Sequence, residues 1–301
     1  MLQSAFSAVI LSEDLVFFYA GWEAMLLPIF LGIGLYAKDE QRASAAMHMM
    51  YYTIFGSMLM LIAIIYVGNL HYEQFGFFSF KIIDLERIRV GANEGAILFG
   101  IFMLAFAIKL PLLGVHSWMA RAYTLAPTGI TFALSAIASK VAIYAILRFV
   151  LPIFSAQFIQ FSAYFVLWGV VSMMYFGIAA FWQKDFKTLL AYSSASHLGL
   201  ILAGIFTLHL YSSVGAIYQV ISHAMTSGVM FLLVGKIRRD LGTSTISELG
   251  GIAKSARVLA VFFAISAFAS IGLPGTNAFV GEILILLGLF SEHFYIAFFA
   301  T

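Results

Sequence analysis

Eight stretches of this chain are long and apolar enough to cross a bilayer as helices: roughly 15–37, 45–70, 95–118, 127–151, 158–183, 188–208, 212–235 and 257–290. A spanning helix needs about 20 apolar residues, because the hydrocarbon offers no partner to a free backbone N–H or C=O. Runs this continuous exclude barrel strands, which alternate in polarity and are about ten residues long. Composition agrees: only 10% of the 301 residues are charged, where a soluble domain carries roughly a quarter. The expected fold is therefore an all-α polytopic membrane protein, one transmembrane domain over 1–301, with about eight spanning helices and partial helices at both ends. The run at 1–12 lacks the basic start of a signal peptide. It and the apolar stretch after 294 are expected to be cut helices of a longer chain.

Sixteen basic and fourteen acidic residues leave a formal charge of +2, too balanced to point to nucleic acid. With no cysteine, disulfides, thiol catalysis and cysteine-held clusters are excluded. The loops give an orientation. Lys38, Arg42, Arg121, Lys184, Lys187, Lys236, Arg238, Arg239, Lys254 and Arg257 fall on one side. Lys81, Arg87, Arg89 and Arg148 fall on the other, amid Glu73, Asp84, Glu86, Glu94 and Glu292. The richer side is expected in the cytoplasm, and the outer loop 71–94 is expected to lie as a short amphipathic segment.

Six ionisable side chains sit inside the runs instead of between them: Glu23, Lys109, Lys140, His197, His223 and Glu282. Lys140 is about a dozen residues from either end of its run, roughly 18 Å of helix, beyond the reach of a snorkelling stem. Each has a plain alternative. Glu23 and Lys109 could be one structural ion pair, the histidines packing residues, and Glu282 a cap on the helix that follows Pro274. The Tyr192-Ser193-Ser194-Ala195-Ser196 run beside His197 reads as close helix packing by small residues. Taken together, however, ionisable groups at similar depth in successive helices are what a proton relay requires. Lysine suits one, since burial disfavours the ammonium and a carboxylate restores it. Moving that carboxylate is worth roughly 1.4–4 kcal/mol.

Two of the runs carry a break. Lys109-Leu110-Pro111 interrupts the third and Gly272-Leu273-Pro274-Gly275-Thr276 the eighth, because proline removes a backbone hydrogen bond and clashes with the preceding turn. The breaks lie five spans apart, so the two helices run in opposite directions. That is the pattern of an inverted-topology repeat, here in halves of about 1–151 and 158–301, with its pathway at the broken helices.

The residues around these features resemble a known family. Trp22-Glu23-Ala24-Met25-Leu26-Leu27-Pro28, Ala107-Ile108-Lys109-Leu110-Pro111-Leu112, His116-Ser117-Trp118 and Ala126-Pro127-Thr128 are similar to the antiporter-like, proton-translocating subunits of respiratory NADH-quinone oxidoreductase, complex I. So are Leu190-Ala191-Tyr192-Ser193-Ser194, Ser196-His197-Leu198-Gly199, His223-Ala224 and Gly272-Leu273-Pro274-Gly275-Thr276 with Phe279-Val280-Gly281-Glu282. A carboxylate at Glu282, where some sister subunits have lysine, resembles the subunit M (chain 4) branch.

The resemblance implies about fourteen helices with two inverted five-helix repeats, of which this chain is the central part. It implies that Glu23 pairs with Lys109 in a first half-channel and that Lys140 passes protons on. His197 and His223 then lie along a central axis, and Glu282 ends the second half-channel. It also implies no metal or redox cofactor in this chain, with NADH, FMN, iron–sulfur clusters and quinone held by other subunits. The implied partners are neighbouring antiporter-like subunits in the bacterial inner membrane. One stretch departs from the pattern: Met119-Ala120-Arg121-Ala122-Tyr123 stands where the family has Leu-Pro-Asp-Ala-His. The usual titratable groups at the cytoplasmic mouth are therefore missing.

Two other functions fit parts of the sequence. A subunit of a multi-subunit, Mrp-like sodium/proton antiporter shares the Glu and Lys positions. A haem-carrying membrane electron carrier would use His197 and His223 as axial ligands, leaving Lys109 and Lys140 without a role.

Overall fold

The computed structural model describes residues 1–37 and 39–301; Lys38, one of the basic residues used for orientation, lies outside them. Helix α1 spans Leu2–Ile10, α2 Leu15–Tyr36, α3 Arg42–Phe75, α4 Ala92–Lys109 and α5 Ser117–Leu125. They are followed by α6 Thr128–Ile153, α7 Ser155–Phe181, α8 Phe186–Phe206 and α9 Leu210–Leu241. The chain continues in α10 Arg257–Ser270, α11 Asn277–Glu292 and α12 Phe294–Ala300. Seven of these, α2–α4 and α6–α9, are long and apolar enough to cross a membrane. The eighth apolar run forms no single span. It is divided into α10 and α11 at Gly272 and Gly275, both at positive φ, with Pro274 between them.

No strand forms among the described residues, but two isolated antiparallel bridges organise the ends of the helices. Asp14 caps α2 through the N–H groups of Val16 and Phe17 and bridges to Lys81, beyond the left-handed Gly76 that ends α3. Asp185 caps α8 through Lys187 and Thr188 and bridges to Thr245, beyond the left-handed Gly242 that ends α9. A carboxylate at a helix start satisfies free N–H groups, and glycine ends a helix where φ must turn positive. The same device thus recurs in α2–α3 and in α8–α9, each pair followed by a proline-broken helix. The outer loop holds one helical turn, Ile82–Leu85, with Ile82 and Leu85 buried and Ile83 exposed.

The breaks are built differently. At Pro111 the Ala107 carbonyl loses its usual donor and takes the Leu112 N–H at 3.0 Å instead. That in turn frees the Ile108 carbonyl, which receives the buried Trp118 indole N–H at 3.0 Å. Beyond the break, Ser172 Oγ accepts the Leu113 N–H at 3.2 Å, and the Trp168 indole donates to the Leu113 carbonyl at 3.0 Å. Open backbone inside a membrane protein requires such partners. At the second break Leu273 N–H reaches back five residues to Phe268 O at 3.1 Å, and no indole plugs the gap among the described residues.

Helices α7 and α8 cross with their backbones nearly touching. A Cβ on Gly169 would lie 2.6 Å from the Gly199 carbonyl oxygen, and one on Gly199 would lie 2.7 Å from that of Gly169. Ser196 Oγ adds a hydrogen bond to Met173 O at 2.8 Å. The small residues around His197 pack helices closely, as read from the sequence.

Candidate functional site: a line of ionisable side chains

Glu23 and Lys109 line one small cavity, about 20 Å³ and room for roughly one water, closed by Trp22, Trp118, Tyr123 and Ser139. The ion pair expected between them is not made; among the described residues Lys109 has no carboxylate within 4.0 Å. Its Nζ stands 3.7 Å from the centre of the Trp22 ring and donates to Trp22 O at 3.4 Å. An ammonium held on an indole face is stabilised by the ring quadrupole without a fixed counter-charge. Trp22 was visible in the sequence only as part of a motif. An aromatic inside an apolar run gives no sign of facing a cation.

Lys140 is buried at 7% exposure, and no carboxylate among the described residues is in reach of it either. It stands where α6 changes winding. Ala133–Ala138 and Ile146–Val150 are π-helical, and the turn between them, Ser139–Ala145, is α. The ammonium of Lys140 donates to the Ser135 carbonyl, which also accepts Ser139 Oγ at 3.1 Å. Ser139 lines the Glu23–Lys109 cavity, so the cavity and Lys140 converge on one carbonyl. Wide π turns concentrate at functional positions, and no residue type in 133–150 announces them.

Helix α9 packs against the Ser139–Ala145 turn and brings His223, 3% exposed, toward Lys140. The His223 ring leans on His197 with centroids 5.1 Å apart. His197 Nδ1 in turn lies 3.4 Å from Glu282 Oε1. Gln219 Nε2 donates to the same oxygen at 3.1 Å, a contact with no signal in the sequence. Glu282 sits in the second turn of α11 and does not cap it; Thr276 holds the cap position. Its other oxygen fills the space where a side chain on Gly272 would go. Within this group the His223 Nδ1, Ser222 Oγ and Gln219 Oε1 atoms are buried without a hydrogen-bond partner.

Five of the six residues therefore form two connected sets. Glu23 and Lys109 share a cavity at the first break, and His223, His197 and Glu282 make a line to the second. Lys140 stands between them, with Pro111 and Pro274 at the two ends. The two imidazoles are too close to sandwich a planar macrocycle. No group of three or more His, Asp or Glu able to hold a metal occurs among the described residues.

The chain is similar in sequence and in fold to known proteins. The family described as NADH:quinone oxidoreductase/Mrp antiporter, TM, matches residues 12–301. NADH-quinone oxidoreductase subunit M of Rickettsia felis is 36% identical over 290 residues, 96% of this chain and 58% of that protein. A structure of respiratory complex I from Thermus thermophilus with bound NADH contains a similar chain at 32% identity and TM-score 0.92. It is covered over 99% of this chain and 63% of that one. The Mrp complex from Dietzia sp. DQ12-45-1b shares the fold, with TM-score 0.88 at 24% identity over 99% of this chain and 55% of that one. The chain thus spans about three-fifths of the length of the curated relative and of the complex I chain it matches.

Proposed function

From the premise that the chain belongs to the NADH:quinone oxidoreductase/Mrp antiporter transmembrane family, we propose that it is a proton-translocating membrane subunit of an NADH-quinone oxidoreductase. The observation that carries this reading is the line of half-buried and buried groups itself: Glu23 and Lys109 at one cavity, then buried Lys140 and His223, then His197 and Glu282. In this reading the six are the relay, and Pro111 and Pro274 hold the helix breaks that open it. Among the described residues Lys109 and Lys140 lack fixed counter-charges. Approach or withdrawal of a carboxylate therefore changes the free energy of holding a proton by roughly 1.4 kcal/mol per tenfold shift in affinity. Glu23 is placed to do this for Lys109 across a water-sized gap. Electrons, NADH, FMN, iron–sulfur clusters and quinone belong to other subunits of the complex, as do the neighbouring antiporter-like partners. The complex sits in a bacterial inner membrane.

The test is Lys109→Met or Glu23→Gln in the assembled complex. Each is expected to remove most NADH-driven proton uptake into inverted vesicles while the complex still assembles. Assembly with wild-type pumping would falsify the role given to the pair. Lys140→Met and Glu282→Gln should behave alike, and the histidine variants more mildly. The Mrp-like fold supports a second reading, a sodium/proton antiporter subunit. Sodium-dependent, NADH-independent transport in vesicles would favour it.

A further inference from the structure

A second cavity, about 520 Å³, is lined by none of the six ionisable residues and lies at the basic end of the bundle. That volume is in the range of small-molecule pockets. Its walls are the end of α2 at Tyr36, the α5–α6 junction at Ala126 and Pro127, Lys187 at the start of α8, and Arg238 and Arg239 near the end of α9. By sequence Lys187 falls among the loop cations. Instead it is 2% exposed.

The charges around this cavity do not balance. Lys187 Nζ donates to Ala126 O at 2.6 Å, and Arg238 Nη1 to Thr124 O at 3.3 Å. Neither has a carboxylate within 4.0 Å among the described residues, and Arg239 has only Asp240 at 3.8 Å. The one acid on the wall, Asp39, is exposed. Asp185, two residues from Lys187, is occupied by the N–H groups of Lys187 and Thr188, the Thr188 hydroxyl and Ser244. One carbonyl contact each leaves two of three ammonium donors and most of five guanidinium donors free. Helix α6 starts on the same wall with no side-chain cap at Pro127, adding the positive end of its dipole.

Three cations and a helix start around one cavity disfavour cations there. Their chemistry suits an anion with several acceptor oxygens. The depth narrows the class, because Lys187 is the second residue of α8 and Arg238 lies in the last turn of α9. The ends of membrane-crossing helices are where headgroups lie, and basic pockets between helices there take phosphate groups. We propose that this cavity is a binding site for a phosphate-bearing anion, a phospholipid headgroup or free phosphate, held by Lys187, Arg238 and Arg239. The site does not depend on the proton-relay reading.

The test uses the assembled complex in detergent and a phosphatidylglycerol carrying a photoreactive group beside the headgroup. Cross-linked peptides covering 125–128 or 235–242 are expected, falling about tenfold or more in Arg238→Gln/Arg239→Gln, since charge-assisted hydrogen bonds are each worth enough for such a change. Lys187→Gln gives the same reading should the double variant fail to assemble. Radiolabelled inorganic phosphate distinguishes the source. Retained phosphate that suppresses cross-linking points to the free anion, and cross-linking indifferent to millimolar phosphate points to the lipid. The proposal is overturned if these peptides are not labelled and no phosphate is retained, or if binding survives unchanged in the arginine and lysine variants.

Discussion

Gly272 shows how a residue with no side chain serves a charge. It lies two places before Pro274, as Lys109 lies two places before Pro111, so one broken helix carries a cation where the other carries a gap. Glu282 fills that gap, while Gln219 and His197 hold its other oxygen. Gly272→Ala would put a methyl group on the carboxylate and strain a residue at φ +65°. The backbone part costs on the order of 1 kcal/mol. The collision should also drive Glu282 off its partners and remove most coupled pumping. Gly275→Ala is the control: its φ is +95°, but nothing lies within 4 Å of the added methyl group. That variant should lose similar stability and keep pumping. Equal pumping in the two variants, measured by proton uptake in vesicles, would show that the packing of Glu282 against Gly272 does not matter.

At the scale of elements, the first break depends on two indoles. Trp118 and Trp168 donate to the carbonyls of Ile108 and Leu113. Trp118→Phe keeps most of the apolar bulk but leaves the Ile108 carbonyl buried without a donor, at about 1–3 kcal/mol. A lower melting temperature of the purified complex is expected, with NADH oxidation retained in the molecules that remain assembled; no change would mean that water or a backbone shift replaces the indole. The contrast between breaks and plugs shows what was readable beforehand. Spans and breaks were legible because lipid demands unbroken apolar runs and proline cannot donate, both properties of consecutive residues. The plugs were not, since neither Trp118, 10 residues from Ile108, nor Trp168, 55 residues from Leu113, carries a mark of its partner. The same holds for the Trp22 face under Lys109, for Gln219 at Glu282, and for the burial of Lys187. All six ionisable residues could be found by their wrong solvent. Their order, and the absence of a Glu23–Lys109 contact, belongs to the packing.

For the whole molecule, the two Asp-capped bridges lie at opposite ends of the bundle. Tyr144 ties α6 to Ile10 at the end that holds Asp14 and Lys81. Lys187, Arg238 and the Asp185–Thr245 bridge gather at the other, against the start of α6. The described basic residues on the richer side of the loop tally include these, which makes the positive-inside assignment a statement about a folded end and not only about loops. It can be checked directly, because the chain has no cysteine and any introduced thiol is unique within it. Phe78→Cys and Thr243→Cys each place one thiol in a return loop, beyond Gly76 and Gly242, and Phe78 is 60% exposed. With the subunit in inverted membrane vesicles, a membrane-impermeant maleimide should label the thiol at position 243 at once. The thiol at position 78 should react only after the vesicles are opened, and the order should reverse in right-side-out vesicles. Labelling of both from the same side would contradict the opposed ends and, with them, the antiparallel relation of the two broken helices. The reverse pattern would keep the fold and invert the direction in which the relay faces the cell.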